Sequence, residues 1–185
     1  MQQQLVERAR AGDHEAFSIL VRTSLPRLYA IATLILRDRD RAQDAVQEAL
    51  VLAWRHVRAL RDVEAWDAWL YRTTVRACYR HARQQKRRDL VELHVEPDLE
   101  RPGGLDLALS VVERDRLGRE LGRLPIDQRA VMVLHFYLDL PLTEAAEILE
   151  IPSGTAKSRL HRGLLALRSA MSAEPEAALN PERSA

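Results

Sequence analysis

This 185-residue chain has a single cysteine, Cys78, few aromatic residues (5%) and almost no net charge (+1). One cysteine excludes an internal disulfide and a cysteine-based zinc site, and it fits a reducing cytoplasm. No signal peptide is evident. The longest apolar candidate, residues 28–36, falls well short of the roughly 20 residues that cross a bilayer, so neither secretion nor membrane insertion is expected. Aromatic and β-branched residues are outnumbered by Ala, Leu, Arg and Glu, which predicts an all-helical soluble protein with one or two buried cores. Catalytic signatures are also missing: no phosphate-cradling glycine loop, no HExxH, and no nucleophile paired with a base. His14, His56, His81, His94, His135 and His161 are scattered, and His81, three residues from Cys78, is better read as a satisfied core histidine than as a ligand. No metal, cofactor or enzymatic activity is expected.

With total charge near zero, any affinity for nucleic acid must come from local segregation of charge. Residues 142–163, LTEAAEILEIPSGTAKSRLHRG, read as helix, tight turn and helix. Thr143 is the expected N-cap and Ile151-Pro152-Ser153 the interruption. In the second helix Ala156, Leu160, Gly163, Leu164 and Leu167 share one face at helical period. Thr155, Ser158, His161 and Arg162 point away from it, Lys157 and Arg159 flank them, and no acid occurs in residues 151–173. Small polar groups and cations on an exposed helix face suit the DNA major groove, although an ordinary solvated amphipathic helix has the same pattern.

Before this motif, a short helix is expected to end at Gly12, and Asp13 to cap a second with Ala16, Phe17, Leu20 and Val21 inward. Pro26 should kink or restart that helix, and Asp38 or Asp40 should cap the next. The helix over about residues 41–60 buries Ala42, Val46, Ala49, Leu50, Ala53, Val57 and Leu60, leaving Asp44, Gln47 and Glu48 on an outer side that is either solvated or a docking surface. Residues 65–85 form a further helix, with Trp66, Trp69, Leu70, Thr73, Ala77 and His81 as a core stripe. Arg72, Arg76, Arg80, Arg83, Lys86, Arg87 and Arg88 follow with no acid between Asp67 and Asp89. Arginines four apart repel by a few tenths of a kcal/mol per pair, a cost that a polyanion would offset. The sign then reverses: Asp89, Glu92, Glu96, Asp98, Glu100 and Asp106, with Pro97, Pro102, Gly103 and Gly104, predict a flexible acidic linker. Residues 107–124 are expected to be helical, Pro125 to start a helix carrying Ala130, Val131, Leu134 and Phe136, and residues after 171 to form a disordered tail.

On these residues the chain resembles an RNA polymerase sigma factor of the extracytoplasmic-function type. GDHEAF at residues 12–17, RAQDAVQEALVLAWR at 41–55 and AWLYRTTVRACYRHAR at 68–83 resemble the family's second conserved region. LGRLPIDQRAVMVLHFYLDL at 121–140 and LTEAAEILEIPSGTAKSRLHRGLLALR at 142–168 resemble its fourth. The resemblance implies two small helical domains: region 2 at residues 1–90 and region 4 at 107–172, joined by the flexible linker 91–106 and followed by the tail 173–185. It implies that Asp44, Gln47 and Glu48 dock on the clamp helices of the polymerase largest subunit. The second lobe would meet the flap of the second-largest subunit. Thr155, Lys157, Ser158, Arg159, His161 and Arg162 would read the minus-35 element of promoter DNA. Arg72, Arg76, Arg80, Arg83, Lys86 and Arg87, with the loop at residues 60–64, would handle the minus-10 element. An anti-sigma factor is a further implied partner, and the cytoplasm, on the nucleoid within holoenzyme, the implied location.

The chain departs from the family pattern at Arg76 and Arg80, where Asn and Asp are usual, at Glu150 in the turn, where Gly is usual, and at Ala156, where Val is usual. A left-handed backbone at residue 150 would cost Glu about 1 kcal/mol. Two other classes share some features. A stand-alone regulator with a C-terminal helix-turn-helix would have no reason to carry the DAVQEA face together with an arginine helix. A polymerase-binding protein that never touches DNA would have no reason to carry Ser158, Arg159 and Arg162.

Overall fold

The computed structural model describes residues 1–91 and 111–173, with side chains for 1–85 and 117–172. The described residues form helices and connecting turns, with no strand among them. Helices α1 (Gln2–Arg10), α2 (His14–Leu36), α3 (Arg39–His56) and α4 (Trp66–Val91) build the first lobe. Helices α5 (Val111–Arg123), α6 (Ile126–Met132), α7 (Leu142–Leu149) and α8 (Ser153–Ala173) build the second. The remainder of the expected linker and tail lies outside the described residues.

Two aspartates start first-lobe helices because a short carboxylate reaches the free N–H groups of a first turn. Asp13 accepts from Glu15 N at 2.9 Å and Ala16 N at 3.0 Å, and Asp38 from Arg41 N at 2.9 Å. Gly12 makes the preceding turn at φ 98°, where a Cβ would meet the Arg58 guanidinium at 2.9 Å. Pro26, expected to kink or restart α2, does not restart it and lies inside one continuous 23-residue helix. Burial of Leu28, Ile31, Ala32, Leu34 and Ile35 beyond the proline holds the helix together despite the missing donor. By length and mean hydropathy (1.5) α2 is also apolar enough to cross a membrane, which its interspersed Arg22 and Arg27 conceal in the sequence. Its apolar side instead packs on α1, α3 and α4. His14 packs in a tilted arrangement on Trp54 of α3 with ring centroids at 4.2 Å, and Phe17 meets Trp54, at 4.9 Å, and Trp66 of α4 edge-on. Of the expected α4 stripe, Trp66, Leu70 and Ala77 are buried, whereas Trp69, Thr73 and His81 lie at the core's edge.

In the second lobe α8 packs on α5, α6 and α7. Gly163 permits its close approach to α6, since a Cβ there would sit 2.7 Å from Met132 Sδ. Thr143 caps nothing: α7 begins at Leu142 with Pro141 in the cap position, and Thr143 is an exposed residue of the first turn. After α6 the chain widens into a π-helical turn, Val133–Tyr137. Val133 and Leu134 stay buried, but the extra residue carries Phe136 out to 58% exposure, against its expected place in the apolar set. The lobes do not stand apart. α7 packs on α4, α6 on α2, and the buried side chains of both lobes join in one apolar cluster.

Candidate nucleic-acid and polymerase interfaces

Helix α8 presents its two faces as its period dictates. Ala156, Gly163 and Leu167 are buried, Lys157, His161 and Arg162 are exposed, and Thr155, Ser158 and Arg159 are half-buried. Ser158 bonds the Thr155 carbonyl at 2.9 Å, and Arg162 folds back on the Ser158 carbonyl and hydroxyl, both at 3.3 Å. These long contacts hold Arg162 loosely. Arg159 differs, since its guanidinium reaches Asp127 of α6 at 3.1 Å and so braces α8 on α6. That brace joins residues distant in sequence, so helical periodicity gave no sign of it.

Two arginines of the arginine helix are engaged by carboxylates. Arg80 donates from Nε to Glu48 of α3 at 3.0 Å, its Nη2 lies within ion-pair distance of the same oxygen at 2.8 Å, and His81 Nε2 lies 3.0 Å from the other Glu48 oxygen. The structure thus brings together a residue expected to bind polymerase and one expected to bind DNA, as a clamp between α3 and α4. His81 is satisfied by that carboxylate at the edge of the core. Arg76 forms an ion pair with Glu150 in the turn of the helix-turn-helix, linking the lobes directly. Arg72 is half-buried and Arg83 exposed, while the Lys86 and Arg87 side chains lie outside those described.

Around the lobe contact, Tyr79 is half-buried near Asp127, and loss of solvent first, then that negative charge, pushes its phenol up. Arg27 donates to the Tyr71 hydroxyl at 3.2 Å. Burial pushes the Cys78 thiol up to about 12, which keeps it protonated. On α3, Asp44 and Gln47 are exposed and Glu48 half-buried; Val51, one turn on, is 45% exposed and extends the same outer side with an apolar group. Helical period alone places Val51 on that side.

Residues 20–88 match the family described as sigma-70 region 2, and residues 114–167 match sigma-70 region 4. The chain is 33% identical over 153 residues to the ECF RNA polymerase sigma factor SigM of Mycobacterium tuberculosis, covering 82% of this chain and 75% of that one. The chain belongs to the ECF RNA polymerase sigma factors. The sigma-E factor of Escherichia coli is 32% identical over 171 residues, covering 86% of this sigma factor and 88% of that protein. Among solved structures, the Bartonella quintana sigma factor RpoE, in complex with the anti-sigma factor NepR, superposes with TM-score 0.66 at 25% identity, covering 85% of this chain and 98% of that one. A sigma factor directs transcription initiation to promoters and is not an enzyme, in keeping with the missing catalytic signatures.

Proposed function

We propose that this sigma factor binds core RNA polymerase with the outer side of α3 and grips promoter DNA with both lobes, holding the opened minus-10 region. The observation that carries the reading is the exposure of cations on two helices of different lobes, Lys157 and Arg162 on α8 and Arg76 and Arg83 on α4. In this reading Asp44, Gln47 and Glu48, with Val51, dock on the clamp helices of the largest subunit, and the second lobe meets the flap. Thr155, Lys157, Ser158, Arg159, His161 and Arg162 form the minus-35 face, with Arg159 acting mainly as its brace. Arg72, Arg76, Arg80, Arg83, Lys86 and Arg87, with residues 60–64, hold the minus-10 strand, with Arg80 acting mainly as a brace on Glu48; phosphate contacts and capture of an unstacked base favour the open form without nucleotide hydrolysis. The functional units are residues 1–90 and 107–172, joined by the tether 91–106 and followed by the tail 173–185.

The two DNA elements lie about 25 base pairs apart, roughly 85 Å of B-DNA at 3.4 Å per pair. A compact chain of this length has a radius of gyration near 16 Å. Lobes packed as in the structure therefore cannot reach both elements, and polymerase must hold them apart, breaking the Arg76–Glu150 pair and freeing Arg76 for the strand. An anti-sigma factor, the partner in the Bartonella structure, is a natural competitor for the same surfaces, and the site of action is the cytoplasm, on the nucleoid. Reconstitution with core polymerase tests the reading: run-off transcripts from a promoter library should depend on this chain, and failure to bind core would overturn it.

A further inference from the structure

Where α2 meets α6, two arginines are buried without a counter-ion among the described residues. Arg37, the residue that ends α2, is 6% exposed, and Arg129 of α6 is 9% exposed. Nε and Nη1 of Arg37 and Nε of Arg129 are out of contact with solvent and have no hydrogen-bond partner among the described residues. No carboxylate among the described residues pairs with either guanidinium. Thr33, one turn before Arg37 on α2, is also buried, with its hydroxyl unpartnered. Burial lowers Arg37, and burial, then the charge of Arg37, lowers Arg129 to about 10; a guanidinium keeps its proton in a protein, so two like charges sit where α2 packs on α6. An isolated buried charge is strongly unfavourable, and two of one sign side by side are more so. The planar fork of a guanidinium matches the oxygen spacing of a carboxylate or phosphate, and a tetrahedral oxyanion can accept from both forks at once.

We propose that Arg37 and Arg129 form an oxyanion-binding site of the phosphate class at the junction of the two lobes. A bound oxyanion supplies the missing acceptors and removes the repulsion. Because one arginine comes from each lobe, it also favours the packed arrangement over the separated one, by mass action.

The test uses the full-length chain and inorganic phosphate, with sodium chloride at matched ionic strength as the control. Phosphate should raise the melting temperature in a saturable way, by about 5–10 °C at a hundredfold excess over its dissociation constant, and chloride should not. Arg129→Met and Arg37→Met should each abolish the phosphate-dependent rise, and Arg129→Met should melt higher than the parent in phosphate-free buffer because the repulsion is gone. Equilibrium dialysis with labelled phosphate on the unaltered chain should find one bound ion per molecule, a reading that does not depend on the variants folding. Equal shifts with chloride, an undiminished shift in both methionine variants, or no bound phosphate on dialysis would each overturn the proposal.

Discussion

Replacing Glu150 with glycine separates two opposing effects at one residue. Glu150 ends α7 at φ 55°, ψ 45°, with its N–H turned back on Ala146 and Glu147 and that of Ile151 bonded to the Ala146 carbonyl at 3.0 Å. The left-handed conformation costs a residue with a Cβ about 1 kcal/mol, and glycine removes that cost. Against this gain stands the ion pair with Arg76, whose side chains are 51% and 57% exposed, so solvent and salt hold its worth to about 0.2–1 kcal/mol. In an Arg76→Ala background, Glu150→Gly should therefore stabilise by the full 1 kcal/mol or so, a rise of about 2–4 °C in melting temperature for a chain of this length. In the parent background the gain should shrink to between about zero and 0.8 kcal/mol, the difference being the coupling between the lobes. Urea unfolding of the four proteins in the cycle, followed by circular dichroism, measures both quantities. Destabilisation by glycine in the Arg76→Ala background would refute the strained cap, and zero coupling at low salt would refute the contact between the lobes.

Three further outcomes follow from other parts of the fold. Gly163→Val should lower second-lobe stability by about 1–3 kcal/mol, because its side chain would occupy the space of Met132; an unchanged urea midpoint would show that α8 does not approach α6 as described. Asp13 has a folded pKa below its ordinary value of 3.8, mainly through the Ala16 N–H and the Arg8 guanidinium, so its stabilisation is present above that value and is lost as pH falls through the folded one. Asp13→Asn should flatten the stability-versus-pH curve below about pH 4, and an identical acid limb in both proteins would remove the cap from the account. Cys78, buried and held protonated, should resist thiol reagents at pH 8 in the native chain and react at the rate of unfolding in urea; fast native labelling would contradict its place in the core.

The elements that the sequence predicts correctly are those set by local chemistry. Asp13 and Asp38 reach N–H groups two or three residues on, and the two faces of α8 follow from the 3.6-residue period, so each is legible within one window of sequence. Glu150 was legible in another way, as an odd residue in a turn that usually has glycine, and its backbone is left-handed as that implies. At Pro26 and Thr143 tertiary and neighbouring effects override local preference: the buried face of Leu28, Ile31 and Ile35 carries α2 through the proline without a restart, and Pro141 takes the cap position ahead of Thr143. Phe136 was misplaced because one extra residue in a π turn shifts the helical phase, and no composition signal marks such a turn. The pairs Arg76–Glu150, Arg159–Asp127 and Arg80–Glu48 join residues 32 to 74 positions apart, and only the packed fold brings them together. Basic residues that period assigns to one free surface are therefore divided, with Arg80 and Arg159 serving as braces and Lys157, His161 and Arg162 left outward.

The central claim is that α8 reads promoter sequence only within a polymerase complex. The most direct measurement compares the parent and Arg162→Ala in reconstituted holoenzyme on promoters randomised across the minus-35 element. The variant should still bind core polymerase, lose about 1–3 kcal/mol of discrimination at one base pair and keep its preference elsewhere. An unchanged promoter preference, or equally selective binding of the duplex by the parent without polymerase, would contradict it.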